Sequence, residues 1–358
     1  MNADLKELQE SARQVLDGLG LAADEERVWP LVTDLGWLLV SVPQELDGLG
    51  QGLAGACAIH GEMGRSLAGG PFLSAMLAID AVCHSQLAER EAWVRRLTST
   101  EYVAVQLADG VLAASRDASG RTRVSGLVPA VPSADKASHV LVYVSQGECL
   151  ALVPVEQSGV RLISRPTWDV TRRLFDVQLE NVALDEAVVL SSGPAARELY
   201  RRIATHRDFA LAADAIGGAN ALLDMTVEYL KARRQFGRPL AMFQALKHRC
   251  ADLKALTTAA EALLVDSLQR LDERALDAQS EVMGMTVKHF ACTAYARVAE
   301  EAVQLHGAVA MTAEHACHRF LKRALLNEQL GRSADSYELG IAASVIDRHG
   351  GRAAGEGR

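Results

Sequence analysis

Two short polar segments of this chain have residue types and a spacing that suit anion binding. The first, residues 231–240, reads KARRQFGRPL, and its Gly237 and Pro239 separate one long helical pattern from the next. A fixed guanidinium at such a junction can hold a phosphate through two parallel hydrogen bonds. Cations also stabilise the carboxyl end of a helix, so a purely structural role is the alternative.

The second segment, residues 304–308, reads QLHGA, and there a helical pattern ends on glycine beside an amide and an imidazole. Taken alone, it is also compatible with an ordinary helix C-cap. His306, His315 and His318 are close enough in sequence to share a metal ion. No acidic residue completes a ligand set, so we interpret them as helix-surface or interface histidines and predict no metal.

Other common sites are excluded by their missing motifs. The chain has no GxGxxG after a strand, no Walker loop, no HExxH and no GxSxG. Its six cysteines form no CxxC pair, which is typical of free thiols in a reducing cytoplasm. The net charge of −8 argues against a nucleic-acid partner. Since Asp, Ser or Pro interrupts each long apolar run, we predict a cytoplasmic protein that does not enter a membrane.

The elements that must position these segments follow from hydrophobic periodicity along the 358 residues. Apolar residues recur at helical spacing over 1–100, alternate as in strands over 101–191, and return to helical spacing over 192–358. We therefore predict an α+β multi-domain protein with an N-terminal helical domain, a middle β-sheet or barrel domain and a C-terminal four-helix bundle. The predicted bundle helices are 193–233, 240–272, 278–306 and 313–346.

Together, and in this order, the segments resemble the acyl-CoA dehydrogenase family over essentially the whole chain. Residues 233–245, RRQFGRPLAMFQA, are similar to the family signature "RxQFGxPixxFQa", and residues 304–308 are similar to "QlhGG". Two N-terminal stretches add to the resemblance: residues 34–50 resemble "LG…vPeelGGlG", and Glu62–Arg65 followed by Pro71 resembles "elGr…P".

The resemblance implies an FAD enzyme that introduces a 2,3 double bond into an acyl-CoA thioester. In such an enzyme a carboxylate removes the α-proton while the flavin takes hydride from the β-carbon. It further implies that part of the FAD of a neighbouring subunit is bound by Arg233, Gln244, Gln304, His306, Gly307 and Ala308.

This chain departs from the family where the flavin ring and the catalytic base are expected. Residues 106–115, QLADGVLAAS, stand where the family has its "TEPxAGSD" loop, and residues 128–133, VPAVPS, replace its "WITN" strand. The usual glutamate lies 27 positions after the Gln of "QxxGG", and here that position is Gly331. The alternative base lies 26 positions before the signature arginine, which gives Arg207. Its neighbour Asp208 is our candidate base, with an acid favoured by the helix N-terminus as the structural alternative.

Loss of both features resembles the degenerate subunit of α2β2 steroid side-chain acyl-CoA dehydrogenases. The resemblance implies a partner chain with an intact flavin loop and base, a bulky sterol or bile-acid side-chain CoA as substrate, and electron-transfer flavoprotein as acceptor. Two alternatives remain: a self-sufficient homo-oligomer with Asp208 as base, and a scaffold subunit without flavin contacts.

Overall fold

Five helices form the amino-terminal part of the chain. The computed structural model describes residues 3–184, 187–273 and 275–353. Helix α4 is buried on nearly every side, which agrees with its sequence FLSAMLAIDAVC, in which Ser74 and Asp80 are the two polar residues. The five helices are α1 (Ala3–Leu19), α2 (Glu25–Asp34), α3 (Gly52–Ser66), α4 (Phe72–Cys83) and α5 (Arg90–Leu97).

Eight strands follow and form two four-stranded sheets. One sheet has the order β1-β4-β5-β8, with β1 parallel to β4, and the other has the antiparallel order β2-β3-β7-β6. The alternating sequence 175–180 lies in β7, whose Val177 and Leu179 are buried. The strands are β1 (Val103–Val105), β2 (Val111–Arg116), β3 (Thr122–Pro132), β4 (His139–Val144), β5 (Cys149–Pro154), β6 (Val160–Arg165), β7 (Leu174–Ala183) and β8 (Val188–Ser192).

The carboxyl-terminal part is helical, so the predicted α–β–α order is confirmed. Its first helix, α6, has 39 residues and packs against α3, α4, α7, α8 and α9, which is why its apolar residues show no single stripe. The elements are α6 (Pro194–Ala232), β9 (Arg234–Gln235), β10 (Arg238–Pro239), α7 (Gln244–Arg270), α8 (Ala278–His306), α9 (Cys317–Gln329) and α10 (Ala334–Ala353).

The predicted helix 313–346 is wrong in one respect, because the structure divides it into α9 and α10. Gly331 lies between them with φ +86°, in the left-handed region that ends a helix. Ser333 then begins α10, its Oγ accepting a hydrogen bond from the Ser336 amide. This break brings the residue at position 331 next to the β domain.

Helices α3 and α6 touch through their backbones, which fixes the N-terminal helices on the C-terminal ones. A Cβ built on Gly64 would lie 2.0 Å from the Asp214 carbonyl oxygen, and one on Gly217 would lie 1.8 Å from that of Gly61. Only glycine allows this approach. Within the described ranges, no helix combines the length and apolar character that crossing a membrane requires.

A buried arginine joins all three parts of the chain. Arg323 on α9 pairs with Asp169 before β7 at 2.8 Å and with Asp214 on α6 at 2.9 Å, and it donates to the Ala68 carbonyl oxygen. Its pKa is raised, because these two carboxylates outweigh the cost of burying its charge. These contacts hold α9, and therefore the break that follows it, in a fixed position.

Candidate functional site

Arg233 lies at the point where α6 ends. The short hairpin of β9 and β10 follows it and returns the chain, so that the Leu240 amide donates to the Arg233 carbonyl oxygen at 2.8 Å. Gln244 then begins α7. Both side chains are exposed, and among the described residues neither has a hydrogen-bond or ion-pair partner. Two of the residues that the sequence marks for cofactor binding are thus free to meet another molecule.

The turn of residues 304–308 lies beside the end of α6. Tyr229, on the last full turn of α6, stacks on the His306 ring at 4.4 Å and donates through its hydroxyl to the His306 carbonyl oxygen. Gln304, Gly307 and Ala308 are exposed at the surface of this turn. The structure therefore brings the two polar segments together, although about 70 residues separate them in sequence.

His306 differs from its neighbours because its imidazole is buried. Its Nδ1 lies 2.8 Å from the Ala302 carbonyl oxygen, and burial lowers its pKa. The His315 ring is 4.5 Å from it. In the described part of the chain, no three His, Cys, Asp or Glu side chains are grouped so that they could hold a metal ion. The buried His306 ring therefore has a structural role, because it packs beneath the exposed residues of the turn.

The two positions proposed for a base also meet in space. Asp208, on α6, is 2% exposed, and its Oδ1 lies 3.4 Å from the place of a Cβ built on Gly331. The Arg207 guanidinium lies 3.2 Å from the same Oδ1 and 3.0 Å from the Asp109 carboxylate. Although burial opposes its charge, the Asp208 carboxylate raises the pKa of Arg207 well above its ordinary value. Asp208 is thus near the base position, but buried and ion-paired.

The sequence reasoning missed Tyr337, which also faces this cluster. Its hydroxyl donates to Asp208 Oδ1 at 2.8 Å, and its side chain is fully buried. Burial, followed by the charge of Asp208, raises its pKa, so the phenol stays protonated and donates. Its only signal in the sequence was an aromatic residue six positions after Gly331.

The segment that replaces the family's flavin loop packs directly on the base position. Leu107 donates its amide to the Ala130 carbonyl oxygen at 3.0 Å and accepts from the Gly331 amide at 2.6 Å. The Asp109 amide donates to the Gly331 carbonyl oxygen at 3.2 Å. Ala130 lies in β3, in the segment that replaces the family's "WITN" strand. Loop, strand and base position are therefore joined by direct backbone hydrogen bonds.

The fit between this chain and FAD differs between the two ends of the cofactor. The two segments expected around the flavin ring hold buried apolar residues, including Leu107, Val128 and Val131, and the Asp109 carboxylate in the first segment is paired with Arg207. The surface that contains Arg233, Gln244 and Gln304 does fit the diphosphate and adenine end, because it presents a guanidinium and two amides. This chain's residues suit one end of the cofactor and not the other.

Known proteins place the chain in a family. Residues 200–342 match the family described as acyl-CoA dehydrogenase, C-terminal domain. The acyl-CoA dehydrogenase IpdE2 of Mycobacterium tuberculosis is 33% identical, over 86% of this chain and 82% of its own. A variant of the Tcur3481-Tcur3483 steroid ACAD has the same fold, with a TM-score of 0.84 and 25% identity over 97% of this chain and 99% of its own. The ChsE4-ChsE5 complex from Mycobacterium tuberculosis superposes with a TM-score of 0.82 and 23% identity over 100% and 99%.

The sequence signature, the fold and these relatives agree. This chain belongs to the acyl-CoA dehydrogenase family of FAD-dependent oxidoreductases that act on acyl-CoA.

Proposed function

We propose that this chain is the half-site subunit of a heteromeric acyl-CoA dehydrogenase, which completes the FAD site of an unlike partner chain. The observation that carries the proposal is the backbone contact between the loop after β1 and the base position. Leu107 bonds to Ala130 on one side and to Gly331 on the other. A flavin ring between these segments would have to break those hydrogen bonds, and each broken bond would leave buried polar groups without partners.

The second support is the absence of an accessible base at the expected positions. Gly331 has no side chain, and Arg207 is a buried cation. In this proposal the partner chain supplies the carboxylate that removes the α-proton, as well as the contacts to the flavin ring. When bound, FAD accepts the hydride from the β-carbon of the acyl-CoA.

This chain's own contribution is to bind and orient the partner's cofactor. The Arg233 guanidinium is placed to form two parallel hydrogen bonds to a phosphate, which a lysine could not reproduce. Gln244 and Gln304 offer amide groups for the remaining polar atoms of the cofactor. The backbone of Gly307 and Ala308 forms the exposed surface of the turn, and the buried His306 ring positions it.

The substrate class and partners come from the relatives. One structure of the same fold is named a steroid ACAD, and another is a complex of two named chains. We therefore propose an α2β2 heterotetramer that acts in steroid degradation on a sterol or bile-acid side-chain CoA. Electron-transfer flavoprotein is the proposed electron acceptor, and the cytoplasm the proposed location.

One observation favours a second candidate, a self-sufficient enzyme with Asp208 as base. Asp208 Oδ1 is 3.4 Å from the place of a Cβ on Gly331, so its carboxylate lies close to the family's base position. Against this, Asp208 is 2% exposed, is paired with Arg207 and accepts from Tyr337. A base needs a free path to the substrate proton, and these contacts block it.

The test is to purify this chain alone and together with an acyl-CoA dehydrogenase chain that has an intact flavin loop. Flavin absorbance and the native mass are recorded for both samples. A colourless or insoluble single chain and a yellow tetramer with about two FAD from the pair would support the half-site proposal. A single chain that forms a yellow tetramer with four FAD would contradict it and favour the second candidate.

A further inference from the structure

The backbone at Gly331 is held on both sides by the loop after β1. Its amide donates to Leu107 and its carbonyl oxygen accepts from Asp109, while its φ of +86° is one that side chains rarely adopt. These bonds fix the direction in which a side chain at position 331 would point. That direction is occupied.

The group that occupies it is the Tyr337 hydroxyl. A Cβ built on Gly331 would lie 2.0 Å from Tyr337 Oη and 3.1 Å from Tyr337 Cζ. The first distance is far inside van der Waals contact, so no side chain fits at position 331 while Tyr337 keeps its place.

Tyr337 is itself anchored from several directions. Its hydroxyl donates to Asp208 at 2.8 Å and accepts from the Arg332 amide at 3.2 Å. The Lys288 ammonium lies 4.5 Å from the centre of its ring, at cation–π distance. Asp208 is in turn held by Arg207, and Arg207 reaches Asp109 on the loop after β1. The phenol therefore cannot turn aside without breaking several buried contacts.

We infer that Tyr337 closes this chain's own half-site, by filling the volume of the missing base and using Asp208 as its anchor. The inference rests on the proposed function, because it explains why only the partner's site would accept an acyl-CoA. In this inference Asp208 is a positioning residue that holds Tyr337. Position 331 must be glycine, because a side chain there would overlap Tyr337. Restoring a base would then require two substitutions, one at Gly331 and one at Tyr337.

A thermal double-mutant cycle on the assembled complex tests the contact. Gly331→Ala is expected to lower Tm by about 10 °C, because backbone strain and the overlap with Tyr337 act together. In a Tyr337→Phe background the additional drop should be about half as large, because the overlap with the hydroxyl is gone and the remaining neighbours, Cζ of residue 337 and Asp208 Oδ1, lie 3.1 and 3.4 Å from the built Cβ. Gly120→Ala is the matched control: Gly120 has φ +81° with no atom within 4 Å of the built Cβ. It should lower Tm by only ~3 °C, equally in both backgrounds.

A binding measurement then tests the closure itself, which a merely structural role for Tyr337 would not affect. Equilibrium dialysis of cholyl-CoA without an electron acceptor should give about one bound molecule for every two chains of the parent complex. Tyr337→Ala should raise this number towards one for every chain, while Tyr337→Phe should not.

Equal effects of Gly331→Ala in the two Tyr337 backgrounds would overturn the inference. So would a parent complex that binds one cholyl-CoA per chain. The proposed function is tested separately, by the FAD content of the single chain. If that test contradicted the proposed function, the Tm cycle could still be interpreted.

Discussion

Arg207 pairs with both Asp208 and Asp109 beneath Gly331, whereas Arg233, Gln244 and Gln304 extend into solvent. The first region lies on α6 and the loop after β1, and the second lies where α6 ends and α7 begins, beside the end of α8. In the first, each described acidic group has a cationic or hydroxyl partner within this chain. In the second, among the described residues, the three polar side chains have none.

The difference between these two regions is what the proposed half-site function requires. Buried charges are stable only when they are paired, and the buried Asp208 carboxylate is paired within this chain by Arg207 and by the Tyr337 hydroxyl. Exposed polar side chains cost little folding free energy without a protein partner, because water hydrates them. The region around Arg233 can therefore stay unpaired until a second chain binds. We call the paired region around Gly331 the closed region and the exposed region around Arg233 the open region. A subunit that supplies half of a site is expected to contain both.

Breaking the closed region should have the largest effect. Arg207→Ala would leave Asp208 buried without its cation, which typically costs about 3–5 kcal/mol of unfolding free energy. Urea unfolding of the complex measures this loss. Arg270→Ala, in an exposed pair with Asp266, is the matched control and should cost less than about 1 kcal/mol. Equal losses for the two variants would show that the pair around Asp208 is not essential to the fold.

Changing the open region should affect the cofactor and leave stability unchanged. Arg233→Ala removes a charged hydrogen-bond donor to the proposed diphosphate, worth about 1.5–3 kcal/mol, so FAD should bind the complex roughly 10- to 100-fold more weakly. Because Arg233 is exposed, unfolding free energy should change by less than about 0.5 kcal/mol. Arg270→Ala should leave FAD binding intact. If Arg233→Ala also left FAD content untouched, the scaffold alternative would be favoured.

Asp208→Asn separates the two candidate functions. Asparagine keeps the size and one acceptor oxygen, so the Tyr337 hydrogen bond survives while the ion pair with Arg207 becomes neutral on one side. We expect turnover by the complex to stay within about twofold and stability to fall by about 1–2 kcal/mol. Loss of turnover without loss of folding would instead identify Asp208 as the base.

The sequence was sufficient to predict the fold, because the fold depends on local patterns, and local motifs also marked the residues of the open region as candidates. Helical and strand periods determine the α–β–α order, and Arg233 and Gln304 belong to contiguous motifs. Counting along the chain also reached Gly331 and the neighbourhood of Asp208. It could not show that these positions touch, because that contact depends on how α6 packs beside the break after α9.

The missed features have one physical cause in common, which is that they depend on packing between distant segments. Tyr337 looks like any aromatic residue on an amphipathic helix, and nothing in sequence relates it to Asp208, 129 positions earlier. The break at Gly331 was masked by helix-forming residues on both sides, although Ser333 three positions before Ser336 is a usable N-cap signal. Contacts between the loop after β1 and position 331 had no signal at all.

The smallest expected effect concerns pH and again separates the two regions. Burial lowers the pKa of His306 beneath the open turn, so below its ordinary value of 6.5 the unfolded chain binds a proton that the folded chain does not. Stability is therefore present above pH 6.5 and declines as the pH falls below it. His306→Gln should reduce the loss between pH 7 and pH 5.5 by up to about 1 kcal/mol, measured by urea unfolding at both values.

The matched control for this last change is His248→Gln, which makes the same replacement at an exposed histidine on α7, and an equal change in the two variants would contradict the assignment to His306. His60 and His206, whose pKa burial lowers to about 4, should contribute to the pH dependence in every variant. Tyr337 should not contribute, since burial raises its pKa and the phenol stays protonated throughout this range. The coupling between Gly331→Ala and Tyr337→Phe should stay constant between pH 5.5 and pH 7. A coupling that changed with pH would show that the two regions are not independent.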